Sequence, residues 1–126
     1  MEPTRTPKLA PYLVVHDARG LLRFLERAVG GRLSYEMGEP GGRLVHAEVR
    51  IADALVMLAD APEDHPVFPA MVHLYVPDAA AAHDRAVKAG ATSVKVPVKE
   101  PDGDIRGGVK DSWGNQWWFT TPPGGL

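Results

Sequence analysis

The chain has no cysteine. Disulfides, thiolate nucleophiles and thiolate metal sites are therefore excluded, while either redox compartment stays open. It also lacks an excess of charge of one sign: 14 Lys and Arg stand against 16 Asp and Glu, a formal net charge of -2. Without a long basic run, the electrostatic footprint expected of a partner for nucleic acid or anionic lipid is missing. No apolar run approaches the roughly 18 residues of a membrane span, and the polar stretch from Met1 to Lys8 has no signal-peptide core. A cytoplasmic protein with neither membrane nor nucleic acid as partner is expected. The paired glycines Gly30-Gly31, Gly41-Gly42 and Gly107-Gly108 match no phosphate-binding fingerprint, and Ser34, Ser93 and Ser112 lie in no nucleophile elbow.

What is present is a repeat. An offset of 61 positions lays Tyr12-Leu13-Val14-Val15-His16-Asp17 over His73-Leu74-Tyr75-Val76-Pro77-Asp78, and the same offset lays Glu39-Pro40-Gly41-Gly42 over Glu100-Pro101-Asp102-Gly103. At 126 residues the chain is about one domain, so the repeat divides one domain into two modules. Each module reads strand, helix, strand, strand, strand. Module one spans about 9–60, a proline-bearing surface linker about 60–69, and module two about 70–122.

In module one a strand over Pro11 to His16 leads to Asp17, a good N-cap for a helix with the stripe Leu21, Leu22, Phe24, Leu25, Ala28 and Val29, ended by Gly30-Gly31. Strands at about Arg32–Met37, Arg43–Ile51 and Ala54–Ala59 follow, the last two joined at Ala52-Asp53. Module two has strands near Met71–Val76, Thr92–Lys99, Ile105–Lys110 and Gln116–Thr121, with a helix from the N-cap Asp78 to Ala89. Alternation assigns Val45, Ala47, Val49 and Ile51 to the face under the helix, and His46, Glu48 and Arg50 to the opposite face. A two-residue hairpin at Ala52-Asp53 sets Glu48 opposite Met57 and His46 opposite Ala59.

The paired β-α-β-β-β modules, the Tyr-Leu-Val-Val-His-Asp opening, the strand His-Ala-Glu-Val-Arg-Ile-Ala-Asp and the closing Gly-Gly-Val-Lys-Asp-Ser-Trp-Gly-Asn-Gln-Trp resemble the vicinal oxygen chelate superfamily over about residues 9 to 122. This group contains glyoxalase I, extradiol dioxygenases and the fosfomycin- and bleomycin-resistance proteins. The resemblance implies an α+β fold in which two β-α-β-β-β modules enclose a shared cleft. It also implies a homodimer, with modules paired either within a chain or across two chains. Family metal sites draw His or Glu from the first and last strand of each module. Those positions fall on Ala10, Met57, Met71 and Trp118 here, none of them a hard-metal ligand.

The residues of the inferred cleft face are then Tyr12, His46, Glu48, Arg50, Met57, Met71, His73, Tyr75, Arg106 and Trp118. Met and Trp where the family has ligands suit a flat or apolar organic molecule, although each is ordinarily a core residue. Arg50 and Arg106 are placed to hold an anionic substituent, although surface arginines are more often simply solvated. The expected function is small-molecule binding without a cofactor, in the manner of sequestration. The alternative is a lyase or dioxygenase-type enzyme. It would be either metal-dependent, with a divalent ion held by a displaced set of His46, Glu48 and His73, or metal-free, with Glu48 as catalytic base beside Met57. The plainer reading of Glu48 is an ion pair with Arg50 or Arg106. Trp117 and Phe119 are expected to face the helices. His16, His65 and His83 read as solvated or structural.

Overall fold

A computed structural model describes residues 7–126. Two four-stranded sheets are each backed by a helix. The first holds β1 (Tyr12–Val15), β2 (Arg32–Gly38), β3 (Leu44–Ile51) and β4 (Ala54–Asp60) in the order β1-β4-β3-β2, with α1 (Ala18–Ala28) following β1. The second holds β5 (Met71–Tyr75), β6 (Thr92–Lys99), β7 (Ile105–Lys110) and β8 (Gln116–Thr121) in the order β5-β8-β7-β6, with α2 (Ala79–Lys88) following β5. In both sheets the first strand pairs parallel to the last and the other pairings are antiparallel. Among the described residues no helix is long and apolar enough to cross a membrane.

The two modules match down to single hydrogen bonds. Asp17 and Asp78 cap their helices by accepting from the N–H of Gly20 and of Ala81, both at 3.1 Å. The next residue in each case is held from the last strand of its own module. Ala18 N–H donates to Asp60 Oδ1 at 2.7 Å, and Ala79 N–H donates to Thr121 Oγ1 at 2.8 Å. Asp60 and Thr121 are themselves 61 positions apart. Each module thus satisfies its helix start, whose first N–H groups have no partner within the helix, by the same construction.

The stripe on α1 is buried as its spacing predicts, with Leu21 and Leu25 fully enclosed. The helix ends where Gly30 takes a φ of 69° and the Gly31 N–H returns to the Leu25 carbonyl at 2.9 Å. A left-handed residue at that place favours glycine. Against the helices lie Leu13, Val15, Ala47, Val49, Ile51, Val56 and Leu58 from one sheet and Val109, Trp117 and Phe119 from the other, all in one continuous core. Trp117 and Phe119 therefore face the helical layer, as alternation requires.

One side chain departs from that alternation. Val45 is not on the helix-facing row: it is 48% exposed, and Leu44 is buried in its stead. The cause is a bulge. Met37 pairs with His46 but Gly38 pairs with Leu44, which leaves Val45 as the extra residue and reverses the alternation before it. Gly38 is required for the approach, since a Cβ there would lie 2.4 Å from the Arg43 carbonyl oxygen.

The two sheets are joined through their helices. α1 packs on α2, and Trp113, in the turn between β7 and β8, reaches across to donate its indole N–H to the His16 carbonyl at 2.7 Å. Its ring lies so close to α1 that a Cβ on Gly20 would meet it at 2.9 Å. Under that turn, Asp111 is buried and accepts from the N–H of Trp113 and of Asn115 (both 2.9 Å), from Asn115 Nδ2 (3.0 Å) and from Trp117 Nε1 (2.9 Å). A buried carboxylate is tolerable only when its lone pairs are occupied in this way. With the helices between them in contact, both sheets leave their other face open to solvent, where Tyr12, Met71 and Tyr75 are all exposed.

Candidate functional site

The open face of each sheet carries a row of registered residues, and the two rows correspond. Across the first sheet run Tyr12, Met57, Glu48 and Tyr35, each opposite the next. Across the second run His73, Trp118, Gly108 and Lys95. The hairpin at Ala52-Asp53 does set Glu48 opposite Met57, with Ile51 paired to Ala54 to close it.

In the first row the polar groups are bonded together. His46 Nδ1 lies 2.9 Å from Tyr12 Oη, and His46 Nε2 lies 3.2 Å from Glu48 Oε2. The Tyr12 and His46 rings meet edge-on with centroids 5.4 Å apart, and Tyr35 closes the other side at 6.1 Å. Glu48 therefore pairs with His46, not with Arg50 or Arg106. Arg50 lies on the same face opposite Arg32, and neither guanidinium has a carboxylate partner among the described residues. Arg106 is engaged by its own turn, donating to Asp102 at 3.1 Å and Asp104 at 3.3 Å.

In the second row Trp118 lies flat against the sheet. A Cβ on Gly108 would sit 2.6 Å from the indole, so the ring occupies the space that the missing side chain leaves. Gly107 is filled in the same manner by Pro97, whose Cγ would lie 2.6 Å from an added Cβ. The glycine pair thus admits two side chains of this chain itself. The Trp118 indole N–H donates to Gln116 Oε1 at 3.0 Å, which fixes the ring in its plane. Beside it His73 bonds Thr120 Oγ1 and stacks at a tilt on Tyr75, with centroids 5.1 Å apart. Met71, opposite Gln116, extends the apolar surface outward.

The displaced metal set is not assembled within the chain. His46 and Glu48 adjoin each other, but His73 lies in the other sheet with Thr120 as its partner, and no three His, Asp or Glu side chains among the described residues group closely enough to hold an ion. Two donors on one extended strand do not make a divalent-metal site. Ala10, Met57, Met71 and Trp118 carry no hard donor either.

Sequence alone did not bring out Tyr35, Arg32 or the bond from Tyr12 to His46. Tyr35 reaches this face because Ser34 is bulged between Leu33 and Tyr35, with its hydroxyl on the Glu48 carbonyl at 3.1 Å. Nothing in the local pattern marks that bulge.

A family model described as the Glyoxalase/Bleomycin resistance protein/Dioxygenase superfamily matches residues 8–119. The chain belongs to this superfamily. Uncharacterised family relatives in Mycobacterium bovis and Mycobacterium tuberculosis are each 34% identical, over 92% of this chain and over 84% and 75% of their own lengths. Among solved structures, TioX from Micromonospora sp. ML1 superposes with a TM-score of 0.78 at 25% identity, covering 91% of this chain and 98% of TioX. A glyoxalase-related enzyme from Fulvimarina pelagi superposes with a TM-score of 0.72 at 16% identity, covering 92% and 88% of the two chains, which shows the shared fold.

Proposed function

We propose that this superfamily member binds a flat or apolar small organic molecule in a cleft closed by a second copy of the chain, without a metal, and acts by sequestering it. The observation that carries the reading is Trp118, laid on Gly108 with the plane of its indole along the open face of the sheet. An indole braced from behind and fixed at its N–H offers a preformed π surface, and a preformed surface binds without first paying the entropy of ordering itself. Tyr12, Tyr35, Met57, Met71 and Tyr75 supply the apolar surround, while Arg50 is free to pair with an anionic substituent.

A second copy is the partner that this surface fits. Exposed Tyr12, Tyr35, Met37 and Val45 on one module and Met71, Tyr75, Val94, Val96 and Val98 on the other are more large apolar side chains than a monomer ordinarily leaves to water. Strands β2 and β6 are exposed along their lengths. With α1 and α2 packed together, the open face of one module meets its counterpart only across two chains, and a twofold axis produces two such clefts at once. Light scattering on the eluting protein tests this. Twice the 13.6 kDa chain mass is expected, and a monomer that still binds aromatic ligands would remove the shared cleft.

A further inference from the structure

We infer that Tyr12, His46 and Glu48 form a proton relay, so that the site takes up weakly acidic aromatic compounds, such as phenols, and holds them as their anions. The inference rests on the proposed ligand site and names the class of molecule that it selects.

With a neutral imidazole, the hydrogen bonds give the relay one direction. An ionised carboxylate only accepts, so a neutral imidazole facing Glu48 Oε2 at 3.2 Å carries its proton on Nε2. Nδ1 is then an acceptor, and the Tyr12 hydroxyl 2.9 Å away must donate to it. The Tyr12 oxygen thereby keeps its lone pairs free on an exposed face, ready to accept a proton from outside. When a ligand O–H donates to Tyr12 Oη, the phenolic proton of Tyr12 passes to Nδ1 as the ligand's proton replaces it. The ligand becomes an anion, Tyr12 is neutral again, and His46 becomes an imidazolium held by the Glu48 carboxylate. No oxidant or further reactant is needed, and reversal returns the proton.

The surroundings support a relay in preference to a surface ion pair. The groups facing His46 are Tyr12 from β1, Tyr35 and Met37 from β2 and Glu48 from its own strand, with Met57 of β4 in the adjoining row. None of the first sheet's arginines pairs with Glu48, so its charge is left to the imidazole. His46 and Glu48 side chains are 23% and 25% exposed, sheltered beneath the more exposed tyrosine that would meet the ligand. A dedicated ring of aromatic neighbours, at 5.4 Å and 6.1 Å, keeps the imidazole in this plane.

The test uses 4-nitrophenol, whose anion absorbs visibly, at a pH where the free probe is mostly protonated. Quenching of tryptophan fluorescence reports binding separately from ionisation. Bound probe is expected to show its ionisation equilibrium displaced by about tenfold toward the phenolate, roughly one pKa unit. Tyr12→Phe and His46→Gln should each abolish that displacement in the probe that remains bound, as read by quenching. Binding without ionisation in the wild-type protein overturns the relay and leaves the ligand reading intact. Failure of the probe to bind at all overturns the ligand reading, and the relay's role with it. Because either variant could lose its fold, nitrogen-15 resonances of the wild-type histidines provide a second check. The relay requires His46 protonated on Nε2 alone, and the opposite tautomer would contradict it.

Discussion

Gly108 shows how an absent side chain decides what its neighbour does. Because a Cβ there would lie 2.6 Å from the indole, Gly108→Ala must lift Trp118 off the sheet. Overpacking of this kind typically costs about 1–3 kcal/mol, and the same change should weaken binding of flat ligands, since the braced surface is lost. Trp118→Ala removes the surface itself. A stacking contribution of about 0.5–1.5 kcal/mol beyond area burial puts the expected loss at about tenfold in affinity or more. The ring is only partly buried, so the truncated protein should remain folded, and calorimetric affinity set beside melting temperature distinguishes the two effects. An unfolded variant would make Trp118 a core residue. Asp111 is the contrasting case. Asp111→Ala strands four donors in the buried turn and should cost several kcal/mol, at the upper end for point mutations. Denaturant melts would read that loss, and a change under about 1 kcal/mol would show the turn to be held by other contacts.

At the scale of elements, the matched helix starts offer a graded comparison. Asp60 satisfies two N–H groups, those of Ala18 and Leu44 (2.6 Å), whereas Thr121 satisfies one and donates its own hydroxyl to the Val76 carbonyl. Asp60→Ala should therefore destabilise by more than Thr121→Val, about 2–4 against about 1–2 kcal/mol. Equal costs, measured by urea denaturation, would mean that the carboxylate adds nothing over the hydroxyl. Most of these elements are legible in the sequence because local chemistry sets them: Asp17 and Asp78 mark the helix starts, Gly30-Gly31 a helix end, and Ala52-Asp53 a hairpin whose register follows from its length. The failures have one source. Bulges at Ser34 and Val45 shift register by one residue, which turns every side chain beyond them to the other face. A bulge depends on how two strands meet, which strict alternation along either one does not record, so the pattern misplaces Val45 and passes over Tyr35. Tyr12, His46, Glu48 and Met57 are legible as neighbours on one face. The bond from Tyr12 to His46 is not, because it runs diagonally between strands that do not pair with each other.

For the whole molecule, the helices decide which faces remain available. One core runs through both modules, sealed by Trp113 at His16 and Gly20, so the chain folds as a unit while its two aromatic faces stay open. In the proposed function these faces bind flat organic molecules without a metal. The most direct measurement is a calorimetric titration of 4-nitrophenol into wild-type and Trp118→Ala protein, each before and after exhaustive dialysis against EDTA. One molecule bound per chain is expected, with an affinity that chelation leaves unchanged and a loss of about tenfold or more in the variant. Binding that disappears on chelation, or that survives undiminished in a folded Trp118→Ala protein, would contradict it.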